Sequence, residues 1–269
     1  TLTKLAQWAA SRRDLFPGRA CDRLGRLQTK ARGHSTVDSR RALDAAFGSD
    51  WPNWLKLEES VGSGVIATVH KGRATWLPVY GHDEDDDHIE RIVAVKVVHP
   101  LIREKIERDL TALSYVASGM ERVAPKLLEF FDPSGAVEEF SDNLRNSISM
   151  EQEAFNLARL SANFKDRYRV TVPMPLAASD ANDAGALVEE FVGGLPLQEA
   201  ITALTGADGE ECDLARKRLA RRGLVTLLQM LFIDNFAHAD MHAGNMLVRF
   251  AGDDLVRSVA ADDFELVLL

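Results

Sequence analysis

The sequence contains very little cysteine and no long apolar run. Its two cysteines, Cys21 and Cys212, lie far apart without a CxxC spacing, which argues against a disulfide framework or a zinc knuckle and favours a reducing compartment. No stretch reaches the roughly 18 apolar residues of a membrane span, and the first residues lack the pattern of a secretory signal. We therefore predict no transmembrane segment within this chain.

An excess of positive charge is also missing. The 269 residues carry 32 lysines and arginines against 41 aspartates and glutamates, a formal net charge of -9. Because a duplex-binding surface needs clustered Lys and Arg, nucleic acid is not an expected partner. Residues 82–88 (HDEDDDH) place five carboxylates in seven positions, and their mutual repulsion predicts a solvated loop instead of a metal site.

The patterns along the chain predict four segments. Residues 1–53 form a helical leader, and residues 54–188 form a small antiparallel sheet with inserted helices. One of these helices carries an apolar stripe of Ile102, Ile106, Leu110, Leu113 and Val116. Residues 189–197 form the hinge, where a connecting strand ends at Gly193–Gly194, which suit a hinge or a simple turn. Residues 198–269 begin a helical lobe, whose first long helix is expected to be buried at its apolar end.

The stretch FAHADMHAGNMLV (residues 236–248) contains the layout of a phosphoryl-transfer loop. Asp240 precedes Asn245 by five positions, after an apolar helix and before a short apolar strand. In such a loop the aspartate accepts or orients the proton of the attacking hydroxyl, and the asparagine ligates magnesium. His238 and His242 flank Asp240, so a His-Asp-His metal site of a hydrolase is the alternative. The histidines are more simply explained as residues that shape the loop.

A second magnesium ligand is expected on a following short strand. The sequence VAADDFELV places Asp263 directly before Phe264, where a DFG-like motif would be. Glu265 stands in the position of the usual glycine, and Asp262 becomes the ligand if the register shifts by one residue.

Residues nearer the N-terminus are predicted to bind the nucleotide. Lys96 in VAVK lies on a predicted strand, where an ammonium group could reach the α- and β-phosphates. Its partner is predicted to be Glu153, with Glu151 as the alternative. Both lie in residues 140–164, where regularly spaced apolar residues predict helix. Other nucleotide contacts are predicted at a glycine-rich turn, at the strand after it and at the hinge: Gly62, Ser63, Gly64, Val69, Glu190 and Val192.

Five elements in this order predict an α+β, bilobal protein-kinase-like fold that binds ATP and Mg²⁺. They are the strand lysine, the helix glutamate, the hinge strand, the Asp-x4-Asn loop and the Asp-Phe pair. The chain ends six residues after Asp263, so the helical lobe is expected to be incomplete.

Four stretches make the resemblance more specific: KLAQ (residues 4–7), VAVKVVHP (93–100), EEFVGGLPL (189–197) and HADMHAGNMLV (238–248). Together the chain resembles the UbiB or aarF-domain atypical kinases, and in particular their mitochondrial members. The resemblance implies a mitochondrial location, a link to ubiquinone biosynthesis and lipid homeostasis, lipid or ubiquinone-pathway partners and peripheral membrane association. It also implies that Lys4 and Gln7 belong to a KxGQ-like leader motif that folds across the active site and favours ATP hydrolysis or a small substrate.

Several residues depart from that family pattern. Ala6 replaces the motif glycine, and Thr68 stands where a glutamine is usual. Ser147 and Ser149 replace an acidic pair, which removes the expected anionic partner of Lys4. These departures leave open a nucleotide-binding pseudokinase or scaffold. The other alternative is a small-molecule phosphotransferase of the aminoglycoside- or choline-kinase type, which shares the Asp-x4-Asn loop but is disfavoured by KLAQ and by the VHP after Lys96.

Overall fold

The structure is a computed structural model of the chain. It describes residues 18, 19, 23, 33–75, 90–123, 132–165, 169–181, 184–206, 208–237, 241 and 243–269.

The described residues form helices and strands in a mixed order. The helices are α1 Thr36–Phe47, α2 Ile102–Val123, α3 Pro133–Asn146, α4 Met150–Phe164, α5 Leu197–Thr205, α6 Glu210–Leu228 and α7 Leu255–Ala260. The strands are β1 Leu55–Ser63, β2 Ala67–Ala74, β3 Arg91–Val98, β4 Val170–Thr171, β5 Pro175–Ser179, β6 Ala186–Glu190, β7 Leu195–Pro196, β8 Met246–Phe250 and β9 Phe264–Leu268.

The described residues divide into two compact units. The first contains those up to Glu153 together with Ala177–Val188, and the second contains Ala154–Leu176 and Glu189–Leu269. One boundary thus lies between Val188 and Glu189, and another lies within α4, between Glu153 and Ala154.

The first unit is organised by a five-stranded sheet in the order β1-β2-β3-β6-β5. Its first three strands are antiparallel neighbours. The β-branched residues Val93, Val95 and Val97 of β3 are fully buried, as expected for a central strand that is covered on its apolar face.

Helix α2 shows the predicted amphipathic stripe as far as Leu110, and beyond it Leu113 is only half-buried. Ile102, Ile106 and Leu110 are buried as predicted, but Ala117 is buried in place of Val116, which is 60% exposed. A step of seven residues from Leu110 to Ala117 follows the 3.6-residue helical repeat closely. The steps of four and three between apolar residues favoured Val116 in the sequence, whereas the helical phase places Ala117 on the buried face.

The second unit is organised by a sheet in the order β4-β9-β8-β7. Strands β8 and β9 are antiparallel, with Met246 opposite Leu268 and Phe250 opposite Phe264. An apolar cluster that includes Leu204 and Leu219 from the helices and Val248 from β8 lies against this sheet.

The apolar end of α6 differs from its prediction. The helix continues into a π-helical turn, Gln229–Ile233. Met230 is buried, but Phe232 is 77% exposed and Ile233 is 68% exposed. Hydrophobicity alone predicted burial of this end, but the widened turn directs only part of it into the core. None of the described helices combines the length and apolar character needed to cross a membrane.

The paired glycines after β6 have different packing roles. A methyl group on Gly194 would lie 2.9 Å from Leu247 Cβ and 3.2 Å from the carbonyl oxygen of Val248, whereas one on Gly193 would meet nothing within 4 Å. We expect Gly194→Ala to lower the free energy of unfolding by about 1 to 3 kcal/mol, because the residues before β7 must move away from β8. Gly193→Ala should cost less than about 0.5 kcal/mol. Urea unfolding of both variants measures this difference, and equal effects would contradict a packing role for Gly194.

Candidate functional site

Lys96 and Glu153 form an ion pair within the first unit. Lys96 lies on β3 directly opposite Val69 of β2, so these two side chains share one face of the sheet. The Nζ atom of Lys96 is 2.7 Å from Oε1 of Glu153 on α4. The two side chains are 16% and 34% exposed, so this pair is shielded yet still accessible to a ligand. The structure therefore brings together the lysine and glutamate that the sequence proposed, whereas Glu151 contacts a different group.

Asp180 fixes the start of the helix that carries Glu153. Its carboxylate accepts hydrogen bonds from the backbone N–H groups of Met150 and Glu151, both at 3.1 Å, and from the hydroxyl of Ser149 at 2.7 Å. Arg103 of α2 pairs with the same carboxylate at 2.5 Å. The aspartate thus satisfies N–H groups at the N-terminus of α4, where a negative charge is favourable.

Sequence reasoning did not find Asp180. It lies 27 residues after Glu153 in a polar stretch, SDAND, that resembles an ordinary loop. Only the return of the chain along β5 brings its carboxylate to α4. The predicted helical stretch around residues 140–164 is accordingly divided, with α3 ending at Asn146 and α4 beginning at Met150.

The predicted glycine-rich turn connects β1 and β2. The N–H of Gly64 donates to the carbonyl of Ala67 at 2.9 Å, which closes the hairpin. A methyl group on Gly62 would meet nothing within 4 Å, and one on Gly64 would make only an ordinary contact at 3.8 Å. The fold of this unit therefore leaves space beside both glycines, as close approach of a ligand to the backbone requires.

Three histidines lie behind this turn in a hydrogen-bonded network. Nδ1 of His34 is 2.7 Å from Nδ1 of His99, and Nε2 of His99 is 3.0 Å from the carbonyl oxygen of Gly64. The hydroxyl of Ser39 on α1 lies 2.9 Å from Nε2 of His34 and 2.8 Å from Nε2 of His70. Each contact needs one donor and one acceptor, and the carbonyl of Gly64 can only accept. His99 therefore donates from Nε2, and the network connects α1 to the turn through an ordered set of tautomers. The histidines are far apart in sequence, so no local motif marks them.

The pKa of His34 gives this network a pH dependence. Burial, and then the nearby His99 and His70, lower the pKa of His34 from 6.5 to about 4. Between these values the unfolded chain binds a proton that the folded protein does not, so this contribution to stability is complete above about pH 6.5 and is lost as the pH falls toward 4. Burial also lowers the pKa of His70.

We therefore expect the stability advantage of wild type over His34→Gln, measured by urea unfolding, to be larger at pH 7.5 than at pH 5. Glutamine does not titrate, so the variant removes the pH-dependent contribution of His34 to the free energy of unfolding while it keeps a polar side chain. An advantage that stays constant between the two pH values would contradict the proposed linkage.

The two predicted hinge residues, Glu190 and Val192, lie in different local environments. Glu190 at the end of β6 donates its N–H to the carbonyl of Met174 at 3.0 Å and accepts from the N–H of Met174 through its side chain at 3.2 Å. Val192, in the segment between β6 and β7, is half-buried. The Glu190 side chain is thus used to hold the neighbouring backbone segment.

Only part of the predicted catalytic loop is described. Asp240, His238 and His242 lie outside the described residues, and so do Lys4 and Gln7 of the leader. Asn245 is described as the last residue of a 3₁₀ turn, Ala243–Asn245, immediately before β8. Its carbonyl oxygen accepts a hydrogen bond from the N–H of Leu269 at 2.9 Å. Across the part of the chain that is described, no three His, Cys, Asp or Glu residues are grouped as a metal site.

The structure contradicts the predicted pairing of Asp263 with Asn245. Asp263 precedes β9 at the end where Phe264 faces Phe250, whereas Asn245 precedes β8 at the end where Met246 faces Leu268. Four strand steps of about 3.3 Å separate these two ends of the hairpin by about 13 Å. A single Mg²⁺ requires each ligand oxygen at about 2.1 Å, so Asp263 and Asn245 are too far apart to bind the same ion.

Asp262, the alternative ligand, lies at the same distant end. It pairs with Arg222 at 2.6 Å, and Asp263 lies 3.3 Å from Arg169. The Asp-Phe motif misled the sequence interpretation because the strand here follows the aspartate, whereas a metal ligand at this position should follow the strand. A carboxylate that shares an ion with Asn245 has to lie at the Leu268 end of β9.

The strand lysine paired with a helix glutamate, and the β8–β9 hairpin after the loop that contains Asn245, define a protein-kinase-like α+β fold. Comparison with known proteins agrees: residues 26–268 match the ABC1 atypical kinase-like domain. The chain belongs to this family, as its resemblance to UbiB and aarF-domain proteins predicted.

Individual proteins of this family are similar to the chain over most of its length. The chain is 30% identical over 258 residues to a mitochondrial ABC1 family protein of Saccharomyces cerevisiae, covering 92% of this chain and 37% of that protein. It is 32% identical over 251 residues to a probable protein kinase UbiB of Histophilus somni, covering 91% and 42%. The chain thus spans less than half the length of these relatives.

A solved structure shows the same fold. The structure of the Rv3197–erythromycin complex from Mycobacterium tuberculosis matches with a TM-score of 0.60 and 21% identity, over 88% of this chain and 51% of that one. At this identity the likeness concerns the fold alone, and it confirms the predicted kinase-like class.

Proposed function

We propose that this chain binds MgATP and transfers or hydrolyses its terminal phosphoryl group. The observation that carries the proposal is the 2.7 Å contact between Lys96 and Glu153. A lysine on a rigid strand, oriented by a helix carboxylate, is the arrangement with which kinase-like folds hold the α- and β-phosphates. Membership of an atypical kinase-like family supports the same function.

The other site residues take roles around this pair. Gly62, Ser63 and Gly64 bring backbone N–H groups to the phosphates, and space beside both glycines fits that approach. Val69 shares the sheet face of Lys96 and offers an apolar surface to the base. The segment with Glu190 and Val192 contributes hinge contacts.

Phosphoryl transfer requires little covalent chemistry from the protein, because positioning and charge neutralisation supply most of the rate. Asp240 accepts or orients the proton of the attacking hydroxyl or water. The amide oxygen of Asn245 is a suitable ligand for a hard cation, and bound Mg²⁺ neutralises charge on the phosphates. Lys4 and Gln7 form a leader that restricts access of large substrates.

The names of the relatives support a cellular setting. One is a mitochondrial ABC1 family protein, and others are named UbiB. We infer a mitochondrial location and a role in ubiquinone or lipid metabolism, with a lipid-like or small acceptor and peripheral association with a membrane.

The first test is thermal unfolding with and without MgATP. At one hundred times its Kd a ligand stabilises the folded state by about 2.7 kcal/mol, which corresponds to a Tm increase on the order of 5 to 10 °C. We expect this shift in wild type and in Lys56→Met, whose lysine is exposed on β1 of the same sheet, but not in Lys96→Met. A shift that persists in Lys96→Met would overturn the assignment.

Measurement of ATP turnover distinguishes an enzyme from a nucleotide-binding scaffold and from a small-molecule phosphotransferase. Release of phosphate from MgATP that is lost in Asp240→Asn establishes an enzyme, whereas tight binding without turnover indicates a nucleotide-binding scaffold. Transfer to a soluble small alcohol or amine in preference to a lipid would instead indicate a small-molecule phosphotransferase.

A further inference from the structure

A second site of positive charge lies in the second unit, in a pocket of about 480 Å³. It is lined by Arg169, which precedes β4, by three arginines and a valine of α6, and by an aspartate before β9: Arg169, Arg218, Arg221, Arg222, Val225 and Asp262. All these residues belong to one compact unit. None of them takes part in the nucleotide site proposed above.

The charge of this pocket is opposite to that of the chain. Four guanidinium groups line this pocket beside one lining carboxylate, that of Asp262, in a protein of net charge -9. Asp263 pairs with one of the four, Arg169. Arg218, Arg221 and Arg222 are spaced i, i+3 and i+4 on one helix, where like charges repel. A bound dianion would remove this repulsion.

Two of the arginines are held in place by the protein. Arg222 is only 12% exposed, pairs with Asp262 at 2.6 Å and lies 4.7 Å from the ring centre of Phe264. Arg218 donates to the carbonyl oxygen of Ala260. Both guanidinium groups also line the pocket, so these anchors fix two of its positive charges in place.

The other two arginines are more accessible. Arg169 is 54% exposed. Arg221 is exposed and makes no ion pair or hydrogen bond with the described residues. Fixed guanidinium groups at the base and accessible ones at the rim are suited to grip an anion with several oxygens.

The backbone at the pocket is unusual as well. Arg169 and Asp262 adopt left-handed conformations with φ of 49° and 62°. An arginine seldom adopts this conformation, whereas an aspartate does so more readily. Such conformations cluster at binding sites, where the surrounding structure maintains them. Here they bring Arg169 and the start of β9 together around the pocket.

We infer that this pocket binds a phosphate monoester. The planar guanidinium fork suits the oxygens of a phosphate, so the four lining arginines match a phosphate dianion. The pocket volume of about 480 Å³ falls within the range of small-molecule sites, so the pocket accommodates a phosphate attached to an organic group. Either a soluble phosphorylated metabolite or a lipid headgroup presents this chemistry.

The test uses the nucleotide-free chain and three probes: inorganic phosphate, glycerol 3-phosphate, and phosphatidylcholine vesicles with or without phosphatidic acid. Thermal unfolding and vesicle co-sedimentation are measured at ionic strength matched with sodium chloride. We expect at least one phosphate probe to bind. Arg221→Gln and Arg169→Gln should each weaken that binding by about tenfold or more, because each removes charge-assisted hydrogen bonds.

Lys217→Gln is the matched control, since it removes one positive charge from the same helix at a position that does not line the pocket. It should change binding by less than about twofold. Preference for phosphatidic acid vesicles over glycerol 3-phosphate identifies a lipid ligand, and the reverse identifies a soluble one.

Absence of binding by every probe, or equal effects of Arg221→Gln and Lys217→Gln, would overturn the inference. The arginines would then serve only to hold α6 against the start of β9. Lys96→Met should leave phosphate binding unchanged, so failure of the nucleotide proposal and failure of this one are separable.

Discussion

Replacement of Asp180 by alanine is expected to lower the free energy of unfolding by about 2 to 4 kcal/mol. The substitution removes the acceptor for two N–H groups at the start of α4 and for the Ser149 hydroxyl. It also leaves the half-buried guanidinium of Arg103 without its carboxylate. Loss of both the helix cap and the charge partner explains why the effect should exceed that of an ordinary ion pair.

The same substitution should weaken MgATP binding, although Asp180 is not proposed to touch the nucleotide. Helix α4 carries Glu153 one turn after the residues that Asp180 holds. A frayed helix start would leave the carboxylate of Glu153 less well placed at Lys96. Asp180 is therefore a positioning residue, and its effect should appear as a higher Kd for MgATP in protein that is still folded.

Asp142→Ala provides the matched comparison. Asp142 is 69% exposed and lies 3.5 Å from Arg145, so its removal should cost less than about 0.5 kcal/mol. Urea unfolding and nucleotide titration of both variants give the result. If Asp180→Ala behaves like Asp142→Ala in stability, the carboxylate does not cap α4 in solution.

Glu153→Gln is expected to weaken MgATP binding by about tenfold to a hundredfold. The change keeps the size of the side chain but removes the charge that holds the Lys96 ammonium at 2.7 Å. Lys96 then loses its ion pair with the Glu153 carboxylate, so its charge is held less firmly toward the phosphates. Stability should change less than binding, because the Glu153 side chain is 34% exposed.

Glu151→Gln tests the alternative partner on the same helix. The Oε1 atom of Glu151 accepts the N–H of Asp180 at 3.2 Å and does not contact Lys96. Its amide replacement should therefore leave MgATP affinity within about twofold of wild type. Isothermal titration of the two variants decides between them, and a larger loss in Glu151→Gln would reverse the assignment.

Local patterns predicted much of the first unit. The alternation of branched and small residues in VAVK was sufficient to place Lys96 on a strand, and the apolar spacing before Glu153 was sufficient to place that residue on a helix. Such patterns depend on neighbouring residues, and the periods of strands and helices differ enough to be separated.

Other predictions were wrong because they depended on contacts between residues that are distant in sequence. Asp263 was assigned to the metal because the dipeptide Asp-Phe matched a motif, but the strand register places it at the wrong end of the hairpin. The end of α6 was predicted to be buried from its composition, yet Phe232 is exposed.

The sequence by itself determined the family, the order of the elements, and the lysine and glutamate that pair, since these depend on residue type and local period. Tertiary structure decided which residues support that pair and which carboxylates are distant from Asn245. Asp180 contacts α4, the three histidines contact one another behind the turn, and four arginines line one pocket near β9. Each of these groups is brought together by the packing of strands and helices that are distant in sequence. Such contacts join residues far apart in the chain, and no local pattern encodes their distance.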